Sequence, residues 1–167
     1  MFHAFDKPPP LQPVPRAEWM ALLARAPQQL LQQALEQHAQ TPPHWLRRPE
    51  TGLMMVQGRA GGTGERFNLG EMTVTRCALR LSGADAQAPV GVSYVMGRNH
   101  RQAQLAAVAD ALLQDPAHYP MLQARLLVPV QEHLQALKLQ RQQRAQSTKV
   151  DFLTVAREAG AGDEEEA

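Results

Sequence analysis

Arg59 and Arg66 bracket a glycine-rich stretch, Gly61, Gly62, Thr63, Gly64 and Glu65, whose backbone can take positive φ and turn its amide N–H groups to one side. Amides flanked by guanidinium groups suit a phosphate or a carboxylate. The same Gly-Gly-Thr-Gly segment, lying between two apolar stretches, is more commonly a means of reversing the chain. On spacing alone both a turn and an anion site are open. Arg76 and Arg98 lie in or beside the predicted strands, and together with Arg59 and Arg66 they would hold a polyanion or an acidic partner surface if the fold made them converge. Left apart they are surface charges worth little each. Glu65 and Asp110 are the carboxylates that could pair with some of them, and Glu65 could instead serve as a general base.

No residue is assigned a catalytic or metal-ligating role, and the set stands as anion- or partner-binding. The histidines, His3, His38, His44, His100, His118 and His133, are scattered, and none pairs with another at helical ligand spacing. Cys77 falls inside a predicted strand, where a buried inert thiol is commoner than a nucleophile. The glycine loop lacks the Gly-Lys-Ser/Thr ending of a P-loop and is not a Gly-x-Gly-x-x-Gly segment opening a helix.

The elements that must position these residues read as an α+β domain, a mainly antiparallel sheet of three or more strands with amphipathic helices packed against it. Residues 1–15, with Pro8, Pro9, Pro10, Pro13 and Pro15, form a flexible extended arm. From Arg16, Trp19, Leu22, Leu23 and Ala26 share a helical face, and Pro27 opens a second helix carrying Leu30, Leu31, Ala34, Leu35 and His38. Pro49 to Gly52 is a turn signal leading into a central strand in which Leu53 and Met55 face one way, Met54 and Val56 the other, so that part of it is expected to be covered on both sides. Residues 72–81 are the clearest strand, with Thr75, Cys77, Leu79 and Leu81 on one face. A loop over residues 82–89 leads to a third strand with Val90, Val92, Tyr94 and Met96 on one side.

Asn99 is placed to cap a helix carrying Leu105, Val108, Ala109, Leu112 and Leu113, which ends before Pro116 and is expected to lie across the sheet. A short helical piece over residues 121–126 follows, and Pro129 starts a polar helix of roughly 15 residues with Val130, Leu134 and Leu137 facing inward. Residues 16–157 make the single domain, and residues 158–167 a disordered acidic tail.

Composition narrows the partners. With 17 basic and 16 acidic residues among 167, no global field draws the chain to nucleic acid or to a membrane surface. A single cysteine excludes a disulfide framework and a multi-cysteine metal site within the chain, and favours a reducing, cytoplasmic location. No apolar run approaches the roughly 18 residues of a membrane span.

Five segments taken in order resemble the PhnG family of the bacterial carbon-phosphorus lyase system: Glu50-Thr51-Gly52-Leu53, the loop from Arg59 to Phe67, Thr73-Val74-Thr75-Arg76, the run from Gly91 to Arg98, and Lys149-Val150-Asp151-Phe152. The resemblance covers about residues 16–157. It implies an accessory subunit of a core complex with the H, I and J subunits, with L and K associated. It further implies that this subunit is needed with I, H and L to convert ATP or GTP and an alkylphosphonate into ribose 1-alkylphosphonate 5-triphosphate and free base. No cofactor is implied for this chain: ATP is the complex's substrate, while an iron-sulfur cluster and S-adenosylmethionine belong to the J subunit. On this reading the glycine loop and its arginines either grip a partner subunit or border a partner's triphosphate site. The alternative is a stand-alone anion-binding module built on the Gly61 to Gly64 loop.

Overall fold

The structure, a computed structural model, describes residues 12–36, 38, 42–81 and 88–148. The first part of the proline arm, the tip of the loop over residues 82–87, the Lys149 to Phe152 segment and the acidic tail lie outside the described residues. The elements run α1 (Arg16–Leu23), α2 (Gln28–Ala34), β1 (His44–Arg59), a 3₁₀ turn (Ala60–Gly62), β2 (Arg66–Arg80), β3 (Gly91–Met96), α3 (His100–Leu113), α4 (Tyr119–Leu122), a π-helical turn (Gln123–Leu127) and α5 (Val128–Ser147). Both strand pairs are antiparallel and the order is β1-β2-β3, so the expected α+β arrangement is what the chain forms.

Helix α3 is the centre of the molecule. It lies against all three strands on one side and meets α1, α2 and α4 on others, which is why Ala103 and every residue from Leu105 to Leu113 are buried. A helix enclosed all round must be apolar all round, and small residues let its neighbours come close. Gly91 shows how close: a Cβ there would sit 2.0 Å from the Ala107 carbonyl oxygen and 2.8 Å from the Ala111 Cβ. Ser93 Oγ donates to the Ala103 carbonyl at 2.7 Å. The inward face of β3 is therefore its small face, Gly91, Ser93 and Val95, and the bulky Tyr94 and Met96 point outward.

The cap at Asn99 forms as expected, its side chain accepting from the Gln102 amide at 3.0 Å. Asn99 Nδ2 also donates to Gln28 Oε1, and Gln102 Nε2 to the Ala26 carbonyl, both at 2.8 Å, tying the α1–α2 corner to the start of α3. Trp19, Leu23, Ala26, Leu31 and Leu35 are buried in one core with Cys77, Leu79 and α3. Cys77 faces inward, and burial pushes its thiol up to about 12.

Asp110 is the one buried charged side chain among the described residues. Its side chain is 0% exposed and accepts from Arg16 Nη2 at 2.8 Å and Nε at 3.2 Å, Trp19 Nε1 at 2.9 Å and the Val92 amide at 2.9 Å. The expectation that Asp110 pairs with a strand arginine is thus corrected: its partner is Arg16, whose guanidinium is held charged chiefly by that hydrogen bond. A carboxylate taken from water needs donors on both oxygens, and here a helix, an indole and a strand supply them.

Three expectations change for β1. It starts at His44 rather than after Gly52, and Pro49 lies within it instead of in a turn. It is an edge strand, not the central one, and its register slips between Trp45 and Arg47 and between Arg47 and Glu50. An edge strand with a bulge tolerates a proline because a missing N–H there breaks no ladder bond. Finally, the stretch expected to be covered on both sides is covered on neither: Leu53 is 65% exposed, Met54 44% and Met55 50%.

At the other end, α4, the π-helical turn and α5 form a run from Tyr119 to Ser147, with Pro129 in the first turn of α5 as expected. Helix α5 is longer than the sequence suggested, at 20 residues, with Val130 buried and Leu134 packed partly on the core. Residues 12–15 lie on the body, where the Val14 amide donates to Tyr119 Oη at 2.6 Å and Gln123 Nε2 to the Gln12 carbonyl at 2.6 Å.

Candidate functional site

The glycine-rich loop is the tip of a long hairpin. Strand β3 ends at Met96, opposite Val74, so residues 53–59 of β1 and 66–73 of β2 run on as a two-stranded ribbon with no third strand. At about 3.3 Å per residue the ribbon reaches about 23 Å past the sheet. Gly61 and Gly62 take φ of 57° and 82°, which is the reason for glycine there. Gly64 is glycine for another reason, since a Cβ would lie 2.7 Å from the Ala60 carbonyl oxygen.

That carbonyl accepts from the amides of both Thr63 and Gly64, the latter at 2.8 Å. Two of the donors an anion would need are therefore committed to closing the turn. Arg59 Nη1 donates to the Gly64 carbonyl at 3.2 Å, bracing the tip from outside. Arg66 is the cross-strand partner of Arg59, and neither it nor Glu65 forms an ion pair among the described residues.

Of the residues selected from sequence, Arg59, Gly61, Gly62, Thr63, Gly64, Glu65 and Arg66 are gathered at this tip. Arg76 and Arg98 are elsewhere. Arg76 stands on β2, its Nε donating to Glu50 Oε1 at 2.7 Å, while Arg47 Nη1 reaches the same oxygen at 2.8 Å. The Arg76 hydrogen bond, ahead of the charge of Arg47, holds the Glu50 carboxyl below its ordinary value of 4.5. Arg98 is exposed in the turn between β3 and α3. Ten residues of extended strand, about 33 Å, separate Arg76 from Arg66, so the four arginines do not form one site.

Sequence reasoning missed the apolar surface around them. On one face of the ribbon stand Leu53 and Met55; on the other Met54, Val56 and Phe67, the Phe67 ring lying over Gly58, where a Cβ would meet it at 3.4 Å. The second face continues into the sheet through Met72, Val74 and the register partner of Val74, Met96, and ends near Tyr94. Helix α3 covers the opposite side of the sheet. The signal was in the sequence, since Leu53, Met54, Met55 and Val56 are apolar in both parities and ask for cover on both faces. What periodicity does not say is whose chain supplies it.

Two further groupings complete the surface. Thr51 Oγ1 lies 3.1 Å from Thr75 Oγ1 and 3.0 Å from His100 Nε2, and Thr75 Oγ1 donates to the Gly97 carbonyl at 2.7 Å, so this row fixes the start of α3 against the sheet. Beside it an open cleft of about 420 Å³ is lined by Trp45, Arg48, Pro49, His100, Arg101 and Gln104. Among the described residues no three His, Cys, Asp or Glu side chains are placed to hold a metal ion, and no helix is long and apolar enough to cross a membrane.

Comparison with known proteins bears on this surface. The family model described as phosphonate metabolism protein PhnG matches residues 14–158. The alpha-D-ribose 1-methylphosphonate 5-triphosphate synthase subunit PhnG of Rhizobium meliloti (strain 1021) is 40% identical over 145 residues, which span 85% of this chain and 88% of that relative.

Proposed function

This chain belongs to the PhnG family of phosphonate metabolism proteins, and from that premise we propose that it is an accessory subunit of an alpha-D-ribose 1-methylphosphonate 5-triphosphate synthase assembly. The observation that carries the proposal is the uncovered apolar ribbon and sheet face, with Leu53, Met54, Met55, Phe67, Leu69, Tyr94 and Met96 all exposed in the single chain. A protein that worked alone would keep so many large apolar side chains out of water, whereas a subunit needs them at its interfaces. The other members are the H, I and J subunits, with L and K associated, and the setting is the cytoplasm.

The conversion assigned to the assembly joins an alkylphosphonate to the ribose of ATP and releases the base. This chain contributes architecture to it. Its one cysteine is buried in the core, so an iron-sulfur cluster, which takes several thiolates, and the S-adenosylmethionine that works with it, belong to a partner. The turn at the ribbon tip, with its amides committed to Ala60, supports gripping a partner over cradling a triphosphate, and the comparisons lend nothing to a stand-alone anion-binding module. The test is purification of the tagged chain from its phosphate-starved host through a sizing column, with mass spectrometry of what co-elutes. A large assembly containing the other synthase subunits is expected; a lone monomer beside an intact assembly that lacks it would overturn the reading.

A further inference from the structure

We infer that the ribbon of residues 53–59 and 66–73 is inserted into a cleft on a different subunit, a cleft with two apolar walls and carboxylates where the ribbon tip ends. The inference rests on the subunit reading and says which part of the chain docks, and how. A sheet that docks by one face needs one apolar face. This ribbon carries apolar side chains on both faces, Leu53 and Met55 on one side, where Thr73 and Glu71 stand opposite them, and Met54, Val56 and Phe67 on the other, and the bulge between Val56 and Gln57 leaves Leu69 as a further exposed side chain. Both sides are satisfied only by an occupant that encloses the ribbon.

A second copy of this chain does not meet that need. Two ribbons stacked about a two-fold axis would cover one face of each and leave the other in water. The cleft beside Trp45, at about 420 Å³, holds a few side chains and not a two-stranded ribbon. Charge gives the orientation. Arg59 and Arg66 are direct cross-strand partners at the far end, like charges that disfavour each other, and Arg66 has no ion-pair partner among the described residues. Glu65 beside them offsets part of this charge, so the complement is a small number of carboxylates at the cleft's end and not a broad acidic surface.

The experiment co-expresses the full set of synthase subunits with the tag on a subunit other than this one, and measures how much of this chain is retained. Four forms are compared: wild type, L53E/M55E, M54E/F67E and R59E/R66E. Each face variant is expected to lower retention by about tenfold or more, as burying two charges at an interface centre should. The tip reversal is expected to lower it about threefold, and to remove the salt sensitivity of the wild type. Melting midpoints of the isolated variants within a few degrees of wild type show that they fold, since the altered side chains are exposed in the free chain.

Retention of one face variant at the wild-type level overturns enclosure in favour of one-faced docking. Retention of both removes the ribbon from the interface. A tip reversal that binds like wild type overturns the carboxylates, and a wild-type dimer in light scattering that either face variant splits overturns the choice of a different subunit. Absence of the wild type from the purified assembly is distinct from all of these and strikes the subunit reading itself. Hydrogen exchange on the wild type needs no variant: amides of residues 53–59 and 66–73 should slow on assembly, and unchanged exchange there would also overturn the proposal.

Discussion

Helix α3 and the hairpin ribbon are both rich in apolar residues, and the chain treats them in opposite ways. In α3 the residues are small, Ala103, Ala106, Ala107, Ala109 and Ala111 among leucines, and the chain encloses them while giving the buried Asp110 its donors from α1 and β3. In the ribbon the residues are large and flexible, Leu53, Met54, Met55 and Phe67, and the chain leaves them in water on both sides. The first region is finished within one polypeptide. The second is finished only by another, and methionine, unbranched and polarisable, suits a surface that must conform to a partner. Stability and function are thus housed in separate parts, and substitutions should separate them cleanly.

The largest loss of stability is expected from Asp110→Ala, about 3–5 kcal/mol in chemical denaturation of the isolated chain, because the Trp19 indole and the Val92 amide lose their acceptor. Arg16, half exposed, adds less to that cost, since water can take up its guanidinium. Gly91→Ala should cost about 2–3 kcal/mol, as its methyl would meet the backbone of α3, which cannot swing aside. Asn99→Ala removes one cap and one tie to Gln28, about 1 kcal/mol. On the other side of the divide, Leu53→Ser with Met55→Ser should move the unfolding free energy of the free chain by no more than about 0.5 kcal/mol. A loss as large as that of Asn99→Ala would mean that the ribbon belongs to the core after all.

The smallest effect is a pH dependence at the exposed Glu50. Its folded carboxyl titrates below the ordinary 4.5, chiefly through the Arg76 hydrogen bond, so whatever stability it adds is present above that value and fades as pH falls through the lower folded one. Carboxyl-carbon NMR should show the Glu50 transition moving back toward 4.5 in Arg76→Ala. An unmoved transition would leave the cross-strand pair without thermodynamic content.

Much of the core was legible because its signals are local. Asn99 before a run with leucines at helical spacing, Trp19 and Leu23 on one face, and the alternation that put Thr75, Cys77 and Leu79 on a common face all depend on neighbours within a few residues. Alternation separates the faces of a strand without saying which is inside. In β3 it set Val90, Val92, Tyr94 and Met96 on one side, and which side is inside is decided by α3, whose alanines admit only Gly91, Ser93 and Val95. The pairing of Asp110 was invisible for a related reason, because its partner is 94 residues away. Pro49 read as a turn because a proline inside a strand is exceptional except at an edge, and edges are decided by the whole sheet. At the candidate site the turn and its glycines were legible; the apolar surface was misassigned, since both-parity hydrophobicity asks for cover without saying which chain supplies it.

The carboxylate of Asp110 also sets a clock. Helix α1 is synthesised 94 residues before the group that anchors it, which at ~5–20 residues per second means about 5–20 s of growth on the ribosome. Until α3 has been made, Trp19, Leu23 and Leu31 lack the helix that shares their core. Anchoring of α1 therefore waits on a group made far later in the chain: only once Asp110 is in place can the indole of Trp19 and the guanidinium of Arg16 reach the same carboxylate.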